Sequence, residues 1–314
     1  MKTDFKFYFV KCLSLMRHHN AKGRTIGNLE TILPLFFDFL ESLGVHKLTD
    51  VTKEHIEDYQ NHLYHYRMPN GNPYSVWTQI TYLSLVSTFF RYLVEAKLLI
   101  NNPATDIKLP KRGNRLPKGI LSLSELRKFI SQPDRETVFG FRDYCIISVF
   151  MSTGIRTQEC CNLEVKDIDF DHGFIAIREG KGLKDGNVPC SEPVLEDLQT
   201  YIERIRPHLI KVDSEDDLFL SSRGTKISKH SIYHSFRNYS KAAKLKKVIL
   251  PRYFRYTLST EMIRRNPSSS LRETQMLLRH GSLNSLDAYI QVLKKDLKRE
   301  YQKRHPTARG ELIH

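Results

Sequence analysis

In the stretch LLRHGSLNSLDAYIQV, residues 277–292, nine residues separate an imidazole from a phenol, those of His280 and Tyr289. A phenol is a weak nucleophile until electropositive groups gather around the atom it attacks. Three earlier stretches carry groups of that kind. TGIRTQE sets Arg156 just past a glycine that can take a left-handed turn, at the start of a helix. EGKGLKDG sets Lys181 at the tip of a hairpin, between glycines that let backbone and substrate come close. LPRYFRYTLSTEM puts Pro251 at a first helical position, with Arg252 and Arg255 three residues apart on one face. Asn284 and Asp287 have the spacing of a cap for the helix that carries Tyr289. Taken singly, each feature is ordinary. An arginine after Thr-Gly is usually an exposed charge, a lysine in a glycine-rich hairpin is usually solvated, and a tyrosine on an amphipathic helix is usually core or rim. The ordered set carries the weight.

The charge balance points to what such a set would meet. The chain of 314 residues has a net charge of +14, unevenly spread. Residues 1–110 hold 12 basic and 10 acidic side chains, a net of +2, and residues 111–314 hold 37 and 25, a net of +12. A basic half of that size suits a polyanion, since each phosphate that is neutralised releases condensed counterions. Five cysteines without a CxxC pair fit neither a disulfide framework nor a zinc site, and Cys160 and Cys161 read as small hydrophobes packed in a helix. No metal or other cofactor is expected. Asp4, Lys6 and Lys11 interrupt the apolar N-terminus, which argues against a signal peptide. The longest clean apolar run, CIISVFM at 145–151, is too short to span a bilayer. A cytoplasmic protein with no membrane partner is expected.

Two sets of elements must position these groups. From Thr25 to about Ile107 the periodicity is helical: one helix closes at Gly44, a second is capped by Asp50 or Thr52, and a third lines up Ile80, Leu83, Val86 or Ser87, Phe90 and Leu93. The Thr52-x-x-His55 spacing makes a poor capping box, and residues 4–18 suggest a further helix. LPKRGNRLPKG at 109–119 reads as an extended linker. Beyond it, Ser122-x-x-Glu125 is a capping box, and two helices are broken at Thr153-Gly154. GFIAIRE and NVPCSE flank the Lys181 turn as a two-stranded hairpin. From Pro193 the chain reads as helical almost to its end. The fold class expected is mainly α with a small antiparallel sheet, divided as 1–108, a linker at 109–119, and 120–314 with a C-terminal tail at 293–314.

These stretches, in this order, resemble the boxes of the tyrosine recombinase (phage integrase) family, with a layout similar to its Xer-type and transposon or mobile-element integrases. TGIRTQECCNLEVKDIDF is similar to the first-arginine box, GKGLKDGNVP to the lysine hairpin, PRYFRYTLST to a box that relatives write His-x-x-Arg-His, and LLRHGSLNSLDAYIQV to the nucleophile box. The resemblance covers almost the whole chain. It implies a helical, SAM-like core-binding domain at 1–108 that binds DNA, and a catalytic domain at 120–314. It implies site-specific recombination or integration through a 3′-phosphotyrosyl intermediate, without metal or ATP. The partners implied are double-stranded DNA, a homotetramer on two DNA sites and an accessory protein, in the cytoplasm at the nucleoid.

The residues suit that chemistry on their own terms. Phosphodiester transfer without a metal needs neutralised oxygens, a nucleophile and an acid for the leaving oxygen. Arg156 and Arg255 clamp the phosphate in forked geometry, and His280 donates to a non-bridging oxygen. Lys181 delivers the proton to the departing 5′ oxygen, and Tyr289 attacks phosphorus. One departure stands out: Arg252 occupies the place of the usual His, and Tyr256 follows the second arginine. Arginine stays protonated, so Arg252 can donate to a phosphate but cannot act as a base. HSFR, from His234 to Arg237, matches His-x-x-Arg literally but lacks the flanking Pro and YTLST, and reads as a DNA-facing or solvated helix. Glu159 reads as a carboxylate that orients an arginine or caps a neighbouring strand. The basic amphipathic run at 293–305 either packs on its own domain or docks on a neighbouring protomer. Two other outcomes use related residues: a type IB topoisomerase or telomere resolvase, and a DNA-binding or synapsis protein with a weakened site.

Overall fold

The computed structural model describes residues 3–19, 21, 23–111, 119–178, 185–211, 216–265, 270–277 and 279. It divides into two compact units, Met1–Gly113 and Asn114–His314.

The first unit is built from helices α1 (Thr3–His18), α2 (Gly23–Ser42), α3 (Lys53–His65) and α4 (Val76–Glu95). Their ends are set by local chemistry. After α2, Gly44 takes a left-handed φ of 78°, so that Val45 N–H reaches Leu40 O at 3.0 Å and Gly44 N–H reaches Glu41 O at 3.0 Å. This pair of hydrogen bonds satisfies carbonyls that the helix end leaves open, and glycine takes the conformation without a Cβ penalty. At α3 the cap is Thr52, while Asp50 sits in a separate 3-10 turn, Leu48–Asp50. The weak Thr52-x-x-His55 box closes after all: His55 Nδ1 accepts the Thr52 N–H at 3.0 Å, the part a glutamate usually plays. Ser75 Oγ accepts the Thr78 N–H at 3.1 Å and starts α4.

The apolar stripe of α4 faces inward as its spacing requires, with Ile80, Leu83, Val86, Phe90 and Leu93 all buried, and Phe89 beside them. Phe36 of α2 lies at the centre, its ring centroid 4.9 Å from that of Tyr59, 6.0 Å from Phe37 and 6.2 Å from Phe90. Edge-on and tilted aromatic pairs of this kind add to area burial.

The second unit wraps around one buried helix. Its elements are α5 (Leu123–Ile130), α6 (Val138–Thr153), α7 (Thr157–Cys161), β1 (Ile168–Asp169), β2 (Phe174–Ile177), β3 (Gly186–Pro189), α8 (Glu192–Thr200), α9 (Lys229–Ala242), α10 (Pro251–Arg265) and α11 (Ser270–Leu277). The Ser122 and Glu125 box caps α5 as the spacing predicts, with Ser122 N–H on Glu125 Oε2 at 2.9 Å and Glu125 N–H on Ser122 Oγ at 3.2 Å. Helix α6 is apolar nearly all round, the pattern of a helix enclosed by others. Phe150 of α6, Phe236 of α9 and Phe254 of α10 pack together, with centroids 5.9 Å apart for Phe150–Phe236 and for Phe236–Phe254. Phe129 of α5 closes the cluster at 5.2 Å from Phe236. A buried polar network braces it: Arg142 donates to Asp143 Oδ1 and to Leu220 O, and Tyr239 OH donates to Asp143 Oδ2 at 2.9 Å. Cys160 and Cys161 are buried in α7, as small hydrophobes would be.

Two expectations change here. The sheet has three strands in the order β1-β2-β3, all antiparallel, where the pattern suggested two. β1 is only two residues long, too short to show a period, and it joins because Ile168 pairs with Ile175. Nor does helix run unbroken from Pro193. α8 loosens into a π turn at Tyr201–Ile205 and a 3-10 turn at Arg206–His208, and residues 216–228 are extended or turning. That stretch is held by Leu218 N–H on Leu163 O at 2.8 Å and by Arg206 Nη2 on Asp217 O at 2.7 Å, while Leu218, Phe219 and Leu220 fill the core. Among the described residues no helix is long and apolar enough to cross a membrane.

Phe36→Ala removes the ring on which three aromatic neighbours rest. We expect it to lower the stability of the first unit by about 3–5 kcal/mol. The chain's one tryptophan, Trp77, lies in α4 of this unit, so its fluorescence during urea unfolding reads the effect. An unchanged midpoint would exclude Phe36 as the keystone of that core.

Candidate active site

The corner between α6 and α7 brings the two expected clamp arginines to one turn of chain. Gly154 ends α6 with φ 60° and ψ 23°, a left-handed conformation that glycine adopts freely. Its carbonyl accepts Nη1 of Arg255 at 2.8 Å, from 101 residues further along the chain. Two residues past Gly154, Arg156 caps α7. Glu159, three residues on, accepts the Arg156 N–H through Oε2 at 2.8 Å and Arg156 Nη1 through Oε1 at 2.7 Å. One carboxylate thus satisfies an orphan donor of the helix start and orients the guanidinium, the part read for Glu159 from the sequence. The Arg156 side chain keeps 29% exposure, while Glu159 keeps 7%.

Helix α10 supplies Arg255, which is 8% exposed, and Arg252, which is exposed. The two were expected to share a face. They do not share an environment: α10 packs on α6, and a three-residue step is enough to turn Arg255 into that contact and leave Arg252 outside it. The Arg252 guanidinium lies 5.6 Å from the centroid of the Tyr253 ring. The YTLST segment explains itself here. Thr257, Ser259 and Thr260 are buried, yet each hydroxyl donates to the carbonyl one turn back, of Tyr253, Arg255 and Tyr256. Such back-bonding lets a helix bury hydroxyls without leaving them unsatisfied. Thr257 Oγ1 also accepts the Leu121 N–H at 2.8 Å, which ties the entry of α5 to α10.

The base of the hairpin is anchored by charge. Arg178, just past β2, forms ion pairs with Glu164 Oε2 at 2.8 Å and Asp167 Oδ1 at 2.7 Å. Those two carboxylates hold its guanidinium well above the usual arginine range. Across the pair, Ile177 is in register with Gly186. Lys181 lies outside the described residues, as do His280, Tyr289, the Asn284–Asp287 cap and the tail at 293–314.

One neighbour of Glu159 was not read from the sequence. Arg279, next to His280, has φ 52°, and its Nη1 lies 3.9 Å from Glu159 Oε1. Nothing in LLRH marks it, since neither its backbone conformation nor its reach to Glu159 leaves a trace in residue spacing. His234 and Arg237 of the HSFR stretch are both exposed on α9, as read. The cysteine thiols are poor nucleophiles: burial pushes Cys161 up to about 11 and Cys12 up to about 12. Among the described residues no three His, Cys, Asp or Glu side chains form a cluster able to hold a metal ion.

Comparison with known proteins accords with these features. The sequence profile of the phage integrase family matches residues 120–296. The chain is 33% identical over 304 residues to the tyrosine recombinase XerC of Oceanobacillus iheyensis, covering 96% of each protein. It is 32% identical over 271 residues to tyrosine recombinase XerC 2 of Ralstonia nicotianae, covering 86% of this chain and 77% of that one. Among solved structures, the Tn1549 transposon integrase in complex with circular intermediate DNA superposes with a TM-score of 0.68 at 19% identity, covering 92% of this chain and 95% of that one, a likeness of fold. With a family profile spanning more than half its length and a relative matched nearly end to end, this chain belongs to the phage integrase family of tyrosine recombinases.

Proposed function

We propose that this chain is a site-specific DNA recombinase that breaks and rejoins DNA through a 3′-phosphotyrosyl bond, with no metal and no ATP. The observation that carries the reading is the turn at Gly154, where a buried arginine from α10 is tied to the carbonyl two residues before the arginine that caps α7. Two guanidiniums brought to one turn of chain in this way can neutralise a phosphodiester during attack. Arg156 and Arg255 form the clamp, and His280 adds a donor to a non-bridging oxygen. The Tyr289 phenol gives its proton to water as its Oη attacks phosphorus, the bond to the 5′ oxygen breaks, and Lys181 gives that oxygen its proton. The phosphotyrosyl ester keeps the cleaved linkage, so a 5′ hydroxyl from a second duplex reverses the step and regenerates the phenol. Exposed Arg252 remains charged and donates to the same phosphate.

The substrate is double-stranded DNA, matched by the net +12 of residues 111–314. Residues 1–108 act as the core-binding domain, and 120–314 as the catalytic domain, joined by the 109–119 linker. Four copies act on two sites, in the cytoplasm at the nucleoid, with an accessory protein where the site requires one. Relatives named as Xer recombinases favour strand exchange over a topoisomerase or telomere-resolvase outcome.

Incubation with a pool of nicked duplexes carrying randomised half-sites should yield a covalent protein–DNA adduct on a denaturing gel. Tyr289→Phe should abolish it, and strand exchange between two selected duplexes should follow in the intact protein. Absence of any adduct from the intact protein would refute the reading. Arg252→Ala should slow adduct formation by about 10-fold or more, the scale of one charge-assisted contact. Arg252→His should preserve or raise the rate. Equal rates in all three proteins would remove Arg252 from the site. If the 293–305 run docks on a neighbouring protomer, truncation after Val292 should abolish the two-duplex synapse on a native gel, and an intact synapse would confine that run to its own domain.

A further inference from the structure

We propose that Arg279 is a positioning residue for the phosphate clamp, holding the charge of Glu159 when Arg156 turns to the DNA. The proposal rests on the recombinase reading above and adds a residue and a role to it. Glu159 is a carboxylate with 7% exposure, and both its oxygens serve Arg156, at 2.7 Å through Nη1 and 2.8 Å through the backbone N–H. An arginine occupied in this way has fewer donors for a phosphate. If it swings away, a nearly buried anion loses its closest counter-charge, which is costly. Arg279 removes that cost. Its Nη1 already stands 3.9 Å from the same Oε1, and its side chain is 14% exposed against 29% for Arg156. Of the two guanidiniums flanking this oxygen, Arg156 has the freer way to solvent and Arg279 is the one built in.

The placement of Arg279 is specific. Its backbone holds φ 52°, a region unfavourable for a side chain with a Cβ, and its N–H bonds Met276 O at 2.9 Å in the turn that closes α11. Its stem passes over Gly186, the first residue of β3. A Cβ built on Gly186 would lie 3.1 Å from Arg279 Nε and 3.6 Å from its Cδ, so the guanidinium uses space that any other residue at 186 would begin to fill. Arg279 therefore meets α7 through Glu159 and the foot of the Lys181 hairpin through Gly186, one residue before His280. Lys97 and Lys244 take the same left-handed turn after α4 and α9, so what sets Arg279 apart is that its side chain reaches two other elements.

The test uses the full chain and the duplex that the intact protein selects from the randomised pool. Single-turnover adduct formation and DNA affinity are measured for Arg279→Gly, Arg279→Gln, Glu159→Gln and the doubles with Glu159→Gln. Glycine accepts φ 52°, so that variant deletes the side chain without straining the backbone. Glutamine removes the charge while keeping a stem over Gly186, and it carries the test if the glycine variant melts below the assay temperature. We expect either change to slow cleavage by about 10- to 100-fold, the rate equivalent of one contact to a charged group. The loss should fall on the chemical step more than on DNA affinity. Adding Glu159→Gln should then raise the rate above that of the Arg279 single variant, because a neutral amide needs no counter-charge. A residue that merely props up the fold would show no such rescue. Wild-type cleavage by both Arg279 variants, or a double variant slower than either single, would overturn the proposal. Failure of the intact protein to form an adduct would instead sink the recombinase reading itself.

Discussion

A guanidinium cannot shed its charge, so a fold that buries Arg255 has to surround it with acceptors. Gly154 O is one of these, and it is available for a definite reason. The last carbonyls of a helix have no partner within it, and α6 ends at this residue in a left-handed turn that only glycine takes without cost. The helix end that needs a donor and the arginine that needs an acceptor solve each other's problem. Because Arg156 follows Gly154 by two residues, the same bond sets where one proposed clamp arginine stands relative to the other. The packing of Phe150 against Phe254, with centroids 6.5 Å apart, holds α6 and α10 at the spacing that the bond requires.

Around that bond the second unit arranges charge in layers. Glu159 faces Arg156 and Arg279; Glu164 and Asp167 face Arg178 at the hairpin foot; Asp143 faces Arg142 and the Tyr239 hydroxyl. Burial together with the Asp143 carboxylate pushes the Tyr239 phenol above its ordinary range, so this tyrosine stays protonated and serves as a donor in a brace. The contrast with a phenol that must lose its proton before its oxygen can bond to phosphorus is chemical: a neighbouring carboxylate keeps a proton on, and neighbouring guanidiniums favour its loss. The first unit relies far less on such pairs. Its interior is a cluster of rings and aliphatic side chains, and its ion pairs Arg17–Glu30, Lys53–Glu57 and Arg91–Glu95 are exposed and contribute little.

Much of this was legible in residue order. Helix ends were written in short-range chemistry, at Gly44, Ser122 with Glu125, and Thr153-Gly154, because a cap needs its donor and acceptor within a few residues of each other. The stripe of α4 was legible because one buried face repeats at three and four. The assignment to a recombinase family came from four boxes whose residue types are chemically constrained. Where local pattern was weak it misled. His55 closed a box that looked poor, since an imidazole nitrogen can accept where a carboxylate usually does. The two-residue β1 was invisible because its pairing energy comes wholly from β2.

By itself, then, the order of residues determined which groups could do chemistry, that most of the chain is helical, and which family it joins. Tertiary structure alone decided which arginine is buried and which is exposed, since Arg252 and Arg255 look equivalent at three residues' spacing and only the packing of α10 on α6 separates them. It alone decided that Arg279 reaches Glu159 across 120 positions of chain. The reason is one of range. Caps and helical stripes are settled between neighbours, whereas the environment of a charge depends on everything that excludes water around it, and that is known only when the chain has closed on itself.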